Sequence, residues 1–159
     1  MLLVKYLDKL IKKLKIMNEN ILKIPYSAVR EDWGLLQKFL TLKGNPRYII
    51  VGNVKLRDRQ DISDLGNLVG VEGYLYLSYS SIVSLGKLEF VGKDLWLGAC
   101  KNIKTLGKLK KVGGDLALGW SSIESLGELE FVGKGLFIRY TNISSSELKK
   151  VEVVGKIYR

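Results

Sequence analysis

Short segments in which apolar and polar residues alternate recur along most of the chain. Residues 71–77 alternate with period two, which is typical of a short strand with one buried face. The same pattern recurs over 91–97, 112–118 and 132–138, at steps of 20, 21 and 20 residues. Less complete copies at 50–56 and 153–159 bring the count to six units.

Two further apolar columns recur between these segments. One is an isoleucine, at Ile62, Ile82, Ile103, Ile123 and Ile143. The other is a Leu-Gly pair with a second leucine two residues later, first seen at residues 65–68. Stacked at this period, the strands form parallel ladders about 4.8 Å apart, and the added columns fill the interior of each coil. The sequence therefore predicts a solenoid of about six units, in which each unit packs mainly against its neighbours.

The segment after each strand carries a family resemblance. Leu95-Trp-Leu97-Gly-Ala-Cys100-Lys-Asn-Ile103 resembles the leucine-rich-repeat core L-x-L-x-x-C-x-x-L, and residues 116–123 resemble its shorter form with Ser121 at the polar position. Ser80 and Thr141 occupy the same position in their units. The resemblance implies a leucine-rich-repeat-like fold in which this polar side chain hydrogen-bonds backbone as the chain leaves the strand.

A narrower resemblance concerns short sequence motifs that recur in the units. The runs V-G-G-D-L-x-L and S-L-G-x-L, together with the flanks at residues 26–33 and 44–46, resemble short, mostly uncharacterised repeat proteins of bacteria and their phages. This kinship implies an accessory protein that binds another molecule. One role it implies is that of a phage-encoded inhibitor that acts on a host defence complex.

Residues 1–49 lack the repeat and show helical spacing instead. An amphipathic helix is predicted from Leu3, Tyr6, Leu7, Leu10, Ile11, Leu14 and Met17, with lysines mostly opposite. A second helix is predicted after Pro25, capped by Ser27 and ending near Leu42 before a Gly-Asn-Pro stop. We interpret residues 1–49 as a two-helix N-terminal cap on the solenoid of residues 50–159, in one continuous α+β domain. A basic helix that binds a membrane surface or a partner is the alternative.

Composition removes much catalytic and metal chemistry. The chain has no histidine and one cysteine, Cys100, which excludes a disulfide framework, a Cys/His zinc site and an imidazole-based triad. Asp94 and Asp115 are predicted to be neighbours on adjacent strands, where paired carboxylates can do acid/base work. No pocket or phosphate-loop motif accompanies them, so we interpret them as solvated carboxylates. We expect that the protein is not an enzyme and that it binds no cofactor, no metal and no small-molecule substrate.

Outward positions of the strands align eight aromatic residues on one face. They are Tyr74, Tyr76, Tyr79, Trp96, Trp120, Phe137, Tyr140 and Tyr158. Aromatic ladders can serve only to stabilise neighbouring strands, whereas contiguous exposed Trp and Tyr are also typical of interface hot spots. We favour the second interpretation. The predicted partner-binding residues are Tyr74, Tyr76, Trp96, Trp120, Phe137, Tyr140, Asp94, Asp115 and Arg139, around a dent at Ala117.

The charge pattern decides between partner classes. The formal net charge is +10, but residues 112–131 contain four acidic residues and no lysine or arginine. Nucleic-acid grooves favour a continuous positive track with interleaved aromatics, so the predicted partner is another protein, and RNA or DNA is the alternative. The apolar run at residues 1–4 ends at Lys5, too short for a signal peptide or a membrane span. We therefore expect a cytoplasmic protein.

Overall fold

The computed structural model of the protein describes residues 21–159 and, before them, Leu2 and Lys5. Within residues 21–159, thirteen parallel strands form two sheets. The strands are β1 (Leu22–Pro25), β2 (Tyr48–Val51), β3 (Val54–Lys55), β4 (Leu68–Val71), β5 (Leu75–Tyr76), β6 (Phe90–Val91), β7 (Leu95–Trp96), β8 (Lys111–Val112), β9 (Leu116–Ala117), β10 (Phe131–Val132), β11 (Leu136–Phe137), β12 (Glu152–Val153) and β13 (Ile157–Tyr158). The helices are a 3-10 turn (Tyr26–Val29), α1 (Trp33–Leu42) and α2 (Ser145–Leu148).

The chain is a parallel β-solenoid of about five turns. The first sheet has the order β1-β2-β4-β6-β8-β10-β12, and the second has the order β3-β5-β7-β9-β11-β13, so from β2 onward every coil gives one strand to each sheet. A third side of the coil carries only isolated bridges, Asp64 with Ser84 and Thr105 with Ser125. The period predicted from the sequence is therefore the period of the coil.

The repeated apolar columns form one continuous core. Leu75, Leu95, Leu116 and Leu136 pair in register along the second sheet, and all are fully buried. The isoleucine column contributes buried side chains from Ile62 to Ile123. Since period-two alternation aims every second side chain inward, equivalent residues of successive coils stack on one another inside the solenoid.

Glycine recurs where coils approach closely or turn sharply. A Cβ on Gly113 would lie 2.1 Å from the carbonyl oxygen of Gly92, and one on Gly133 would lie 2.2 Å from that of Gly113, so a side chain cannot fit between these turns. At the third corner Gly107 has φ +58°, and its N–H donates to Thr105 Oγ1 at 3.1 Å. The left-handed conformation explains why the Leu-Gly column needs glycine.

The segment before the repeats differs from the prediction. Residues 22–25, assigned to a helical cap, form strand β1, which pairs in parallel with β2. Helix α1 begins after Asp32, whose carboxylate accepts from Leu35 N at 2.9 Å, so the predicted cap Ser27 is wrong. The break arises because Arg30 and Glu31 have φ of 55° and 54°, which a continuous helix cannot include. The predicted end at Leu42 is confirmed, and the helix predicted over residues 3–17 lies outside the described residues.

The last coil replaces the repeat by helix α2. Ser144 caps it by accepting from Glu147 N at 3.3 Å, and the two residues have the Ser-x-x-Glu spacing of a capping box. The carboxylate of Glu147 does not turn back to the cap. It accepts instead from Leu126 N of the preceding coil at 2.8 Å, and it pairs with Lys150. The hydrogen bond from Lys150, followed by the one from Leu126 N, holds the pKa of Glu147 below its usual value. Glu147 therefore ties the last coil to the one before it.

Shortening a leucine side chain of the buried column tests the register in which the coils are stacked. Leu95→Ala or Leu116→Ala is expected to destabilise the protein by about 2 to 5 kcal/mol, because each leaves a cavity inside the stacked coils. Lys87→Ala, on the exposed surface of the same solenoid, should change the free energy of unfolding by less than about 0.5 kcal/mol. Chemical denaturation of the three variants measures the difference, and equal midpoints would contradict the register.

Candidate functional site

The second sheet brings the predicted aromatic residues into one row. Strand pairing places Tyr76 beside Trp96, Trp96 beside Ala117, Ala117 beside Phe137 and Phe137 beside Tyr158. Lys55 precedes Tyr76 in the same row. This order follows from the repeat period, since positions 55, 76, 96, 117, 137 and 158 are 20 or 21 residues apart. We use the name aromatic face for the outer surface of the second sheet and the turn that follows it.

The rings of the row are grouped in two stacks. Tyr76 has its ring centroid 4.2 Å from that of Tyr74 and 4.5 Å from that of Trp96. Phe137 and Tyr158 form the second stack, with centroids 4.4 Å apart and planes inclined by 4°. Stacked pairs of this kind add roughly 0.5 to 1.5 kcal/mol beyond the burial of their area, so part of the ladder has a structural role.

A second aromatic column lies in the turn after the strands, and its backbone is strained. Tyr79, Trp120 and Tyr140 have φ of 61°, 63° and 58°, a left-handed conformation that is unusual for bulky residues. Their side chains are 55%, 57% and 63% exposed. The rings of Trp120 and Tyr140 stack with centroids 3.9 Å apart, and the guanidinium of Arg57 lies 5.2 Å from the Tyr79 ring. Strained residues held outward by a rigid scaffold are a common feature of functional surfaces.

Small residues lie between the large rings of the aromatic face. Ala117 is half-buried between Trp96 and Phe137, and Gly98 and Gly119 lie beside it on the same face. Ala99, which is not among the predicted site residues, occupies the left-handed position between Tyr79 and Trp120. The signal for it was present in the repeat, because residues 58, 79, 99, 120 and 140 share one position of the coil. Each aromatic column is thus interrupted once by an alanine.

The predicted carboxylates belong to a polar ladder along the sheet. Asp94 Oδ1 accepts from Asp115 N at 2.8 Å, and Asp115 Oδ1 accepts from Gly135 N at 2.8 Å. Asn53 makes the equivalent contact with Tyr74 N at 3.1 Å. Each side chain therefore binds the backbone of the next coil, which corrects the interpretation of Asp94 and Asp115 as simply solvated groups. Arg139 is exposed, and its Nε donates to the carbonyl of Arg159 at 3.4 Å.

Two titratable groups near this sheet have shifted pKa values. Burial raises the pKa of the Cys100 thiol, whose Sγ donates to the Leu77 carbonyl at 3.1 Å. Partial burial, followed by the negative charge of Asp94, raises the pKa of the Tyr76 hydroxyl. Both shifts favour the neutral form at pH 7, so neither group is prepared as a nucleophile. In the part of the chain that the structure describes, no cluster of three or more His, Cys, Asp or Glu could hold a metal ion.

A basic cluster lies on a different part of the solenoid. Arg47, Lys87 and Lys108 line a shallow cavity of about 270 Å³ together with Glu89. Arg47 Nη2 donates to Glu89 Oε1 at 3.2 Å, which neutralises part of the charge. These residues lie at the corner where the chain enters the first sheet, whereas the aromatic residues lie on the second sheet and the turn after it. The cations of this cluster therefore lie apart from the aromatic rings.

Comparison of the chain with protein-family models, with curated proteins and with solved structures found no match. No helix within residues 21–159 is long and apolar enough to cross a membrane. The function must therefore be argued from the aromatic face itself.

The polar ladder generates a prediction about Asp94. Asp94→Asn should leave the free energy of unfolding nearly unchanged, because an amide oxygen can accept from Asp115 N in place of the carboxylate. Asp94→Ala leaves that N–H without its partner and is expected to cost about 1 to 3 kcal/mol. Urea denaturation of both variants tests the role. An Asn variant as unstable as the Ala variant would show that the charge, not the hydrogen bond, matters.

Proposed function

We propose that this protein is a non-catalytic binding module that recognises another protein through its aromatic face. The exposure of the aromatic column of Tyr79, Trp120 and Tyr140 is the observation that carries the proposal. The left-handed backbone itself belongs to the repeat, because Asp58 and Ala99 share it with φ of 61° and 58°. What distinguishes the three aromatic units is that a large ring is held in solvent, where a partner can bury it.

The composition of the face supports a protein partner. Trp96 and Phe137 are 42% and 36% exposed, and they flank the small residue Ala117. Aromatic anchors with a polar edge, here Asp94, Asp115 and Arg139, are typical of the centre of a protein interface. The single row of rings on a rigid sheet also costs little conformational entropy on binding, since Tyr and Trp have only two side-chain torsions.

The finer family assignment belongs to the same proposal. We propose a leucine-rich-repeat-like solenoid with six repeat units, in which residues 1–49 cover the first coil. The contacts of Cys100 and of Thr141 Oγ1, which donates to the Ile138 carbonyl at 2.6 Å, support the resemblance, because both bind backbone at the polar position. Burial of Trp33, Leu36, Phe39 and Leu40 in the common core supports the cap. A cytoplasmic phage accessory protein that inhibits a host defence complex is the role this resemblance suggests.

Nucleic acid is the alternative partner, favoured by the net charge of +10 and by the cluster of Arg47, Lys87 and Lys108. Its weakness is the separation of that cluster from the rings, since single-stranded nucleic acid needs cations and stacking surfaces along one groove.

Anchor substitutions test the proposed surface. Trp96→Ala, Trp120→Ala and Phe137→Ala should each weaken partner binding by about 2 kcal/mol or more while the protein stays folded. The tagged protein and a variant with all three changes are used to purify partners from the native cell. Calorimetry with the purified partner then measures each single variant.

Two controls accompany this experiment. Lys87→Ala, far from the face, should bind the partner as the unchanged protein does. Circular dichroism and melting temperature separate lost affinity from lost stability. A partner retained by the triple variant at unchanged affinity would contradict the proposal.

Salt dependence separates the two partner classes. With RNA or DNA oligonucleotides we expect weak binding that is lost by about 0.15 M salt, because scattered surface charges are screened at that ionic strength. A true nucleic-acid site would instead keep nanomolar affinity and show a steep linear fall of log affinity with log salt. Fluorescence anisotropy at several salt concentrations measures both quantities, and nuclease treatment during the purification gives the matching control in the cell extract.

A further inference from the structure

The interruption of the aromatic row at Ala117 has a defined orientation. Ring centroids in the two stacks are 4.4 and 4.5 Å apart, close to the spacing of about 4.8 Å between parallel strands. The rings therefore stack along the axis of the solenoid. Tyr76 has Tyr74 on one face and Trp96 on the other, so the far face of Trp96 is directed toward Ala117. Phe137 has Tyr158 on one face, and its other face is directed toward Ala117 from the opposite side.

The width of this interruption matches one planar group. Trp96 and Phe137 belong to strands β7 and β11, which are separated by β9 alone, or about 9.6 Å at two strand spacings. A flat group placed midway would lie about 4.8 Å from each ring, close to the centroid distances of 4.5 and 4.4 Å in the two stacks. We call this space, bounded by Trp96, Ala117 and Phe137, the Ala117 gap.

Charge beside the Ala117 gap selects among planar groups. Asp94 and Asp115 occupy the neighbouring row, and each uses Oδ1 for a backbone N–H of the next coil. Within residues 21–159, neither Oδ2 has a hydrogen-bond partner and neither carboxylate has an ion pair. Two negative groups thus lie beside an aromatic sandwich and lack a cation.

Two other rings of the aromatic face already have a cation beside them. Lys55 Nζ lies 5.9 Å from the Tyr74 ring at the start of the row, and Arg57 lies 5.2 Å from the Tyr79 ring in the neighbouring column. Cations are attracted to ring faces by the aromatic quadrupole, and the attraction grows when the site is desolvated. The Ala117 gap presents two such ring faces to one occupant.

We propose that the Ala117 gap binds the guanidinium of an arginine side chain from the partner protein. The guanidinium is planar, stacks on aromatic faces on both sides and carries donors that carboxylates such as Asp94 and Asp115 accept. Arginine is also one of the residues most enriched at interface hot spots. This inference rests on the proposed function, because it assumes that the aromatic face docks a protein.

Other occupants use the gap less completely. A lysine ammonium is compact rather than planar and fills less of a flat space. An aromatic side chain stacks equally well but leaves both carboxylates unpaired. A nucleobase would stack too, but its phosphate would approach Asp94 and Asp115, which repel it.

Small probes test the gap without the partner. The full-length protein is titrated with N-acetyl-arginine amide, N-acetyl-lysine amide, N-acetyl-tryptophan amide and adenosine monophosphate, and the indole N–H resonance of Trp96 is followed by NMR. We expect a saturable shift with the arginine probe, at an affinity about fivefold or more above that of the lysine probe.

Three variants locate the effect. Ala117→Phe fills the gap with the protein's own ring and should abolish the arginine shift. Lys55→Phe adds a ring at the far end of the same row, leaves the gap open and should keep the shift, so it is the matched control. Asp115→Asn retains the bond to Gly135 N but removes a charge, and it should weaken the arginine probe about fivefold while leaving the tryptophan probe unchanged.

The outcomes separate this inference from the proposed function. Tighter binding of the tryptophan probe or of the nucleotide would overturn the guanidinium assignment, as would an arginine shift that survives Ala117→Phe. A Trp96 resonance that no probe shifts would also overturn it. If Ala117→Phe fails to fold, Asp115→Asn alone decides. Partner capture by the triple alanine variant is measured independently of the small probes. If the triple variant loses the partner but the arginine probe does not bind the unchanged protein, the proposed function is retained and only the arginine site is rejected.

Discussion

The spacing of about 4.8 Å between parallel strands is the constraint on which the whole structure depends. Each residue of a coil lies within that distance of its equivalents in the coils before and after it. A residue is therefore tolerated only if it packs against the equivalent residues of the neighbouring coils as well as against the residues of its own coil. The fully buried leucines at 75, 95, 116 and 136 meet this condition by stacking, and Gly92, Gly113 and Gly133 meet it because carbonyl oxygens lie where a Cβ would be.

The same constraint makes ladders of the exposed positions. Asn53, Asp94 and Asp115 repeat one side-chain contact from coil to coil, each accepting from a backbone N–H of the next coil. The pair of carboxylates that suggests acid/base chemistry in the sequence thus has a different role in the fold. Column geometry also means that one small residue changes a whole surface. Ala117 separates two ring stacks that would otherwise be continuous along the sheet.

The two ends of the described solenoid use different devices. At one end β1 extends the first sheet beside β2, and α1 adds Trp33, Leu36 and Phe39 to the core. At the other end the Leu-Gly corner is absent, and Glu147 supplies an acceptor to Leu126 N. In the last described coil Ile157, which continues the leucine column, is 40% exposed. Solenoid units depend on neighbours for burial, so the end units must differ in sequence from the inner ones.

The sequence by itself determined the coil, its register and the order of the aromatic row, because a repeat of 20 or 21 residues specifies which side chains become neighbours. Residues outside the repeat were less predictable. Strand β1 has no periodic partner in the sequence, and the helix start at Asp32 depends on the left-handed backbone of Arg30 and Glu31. The positive φ of Tyr79, Trp120 and Tyr140 was also unpredictable from the sequence, because bulky residues disfavour this conformation and nothing in their local sequence indicates it. Only the tertiary structure decided that conformation, because stacking each coil on its neighbours imposes the same turn on every unit, whichever side chain occupies it.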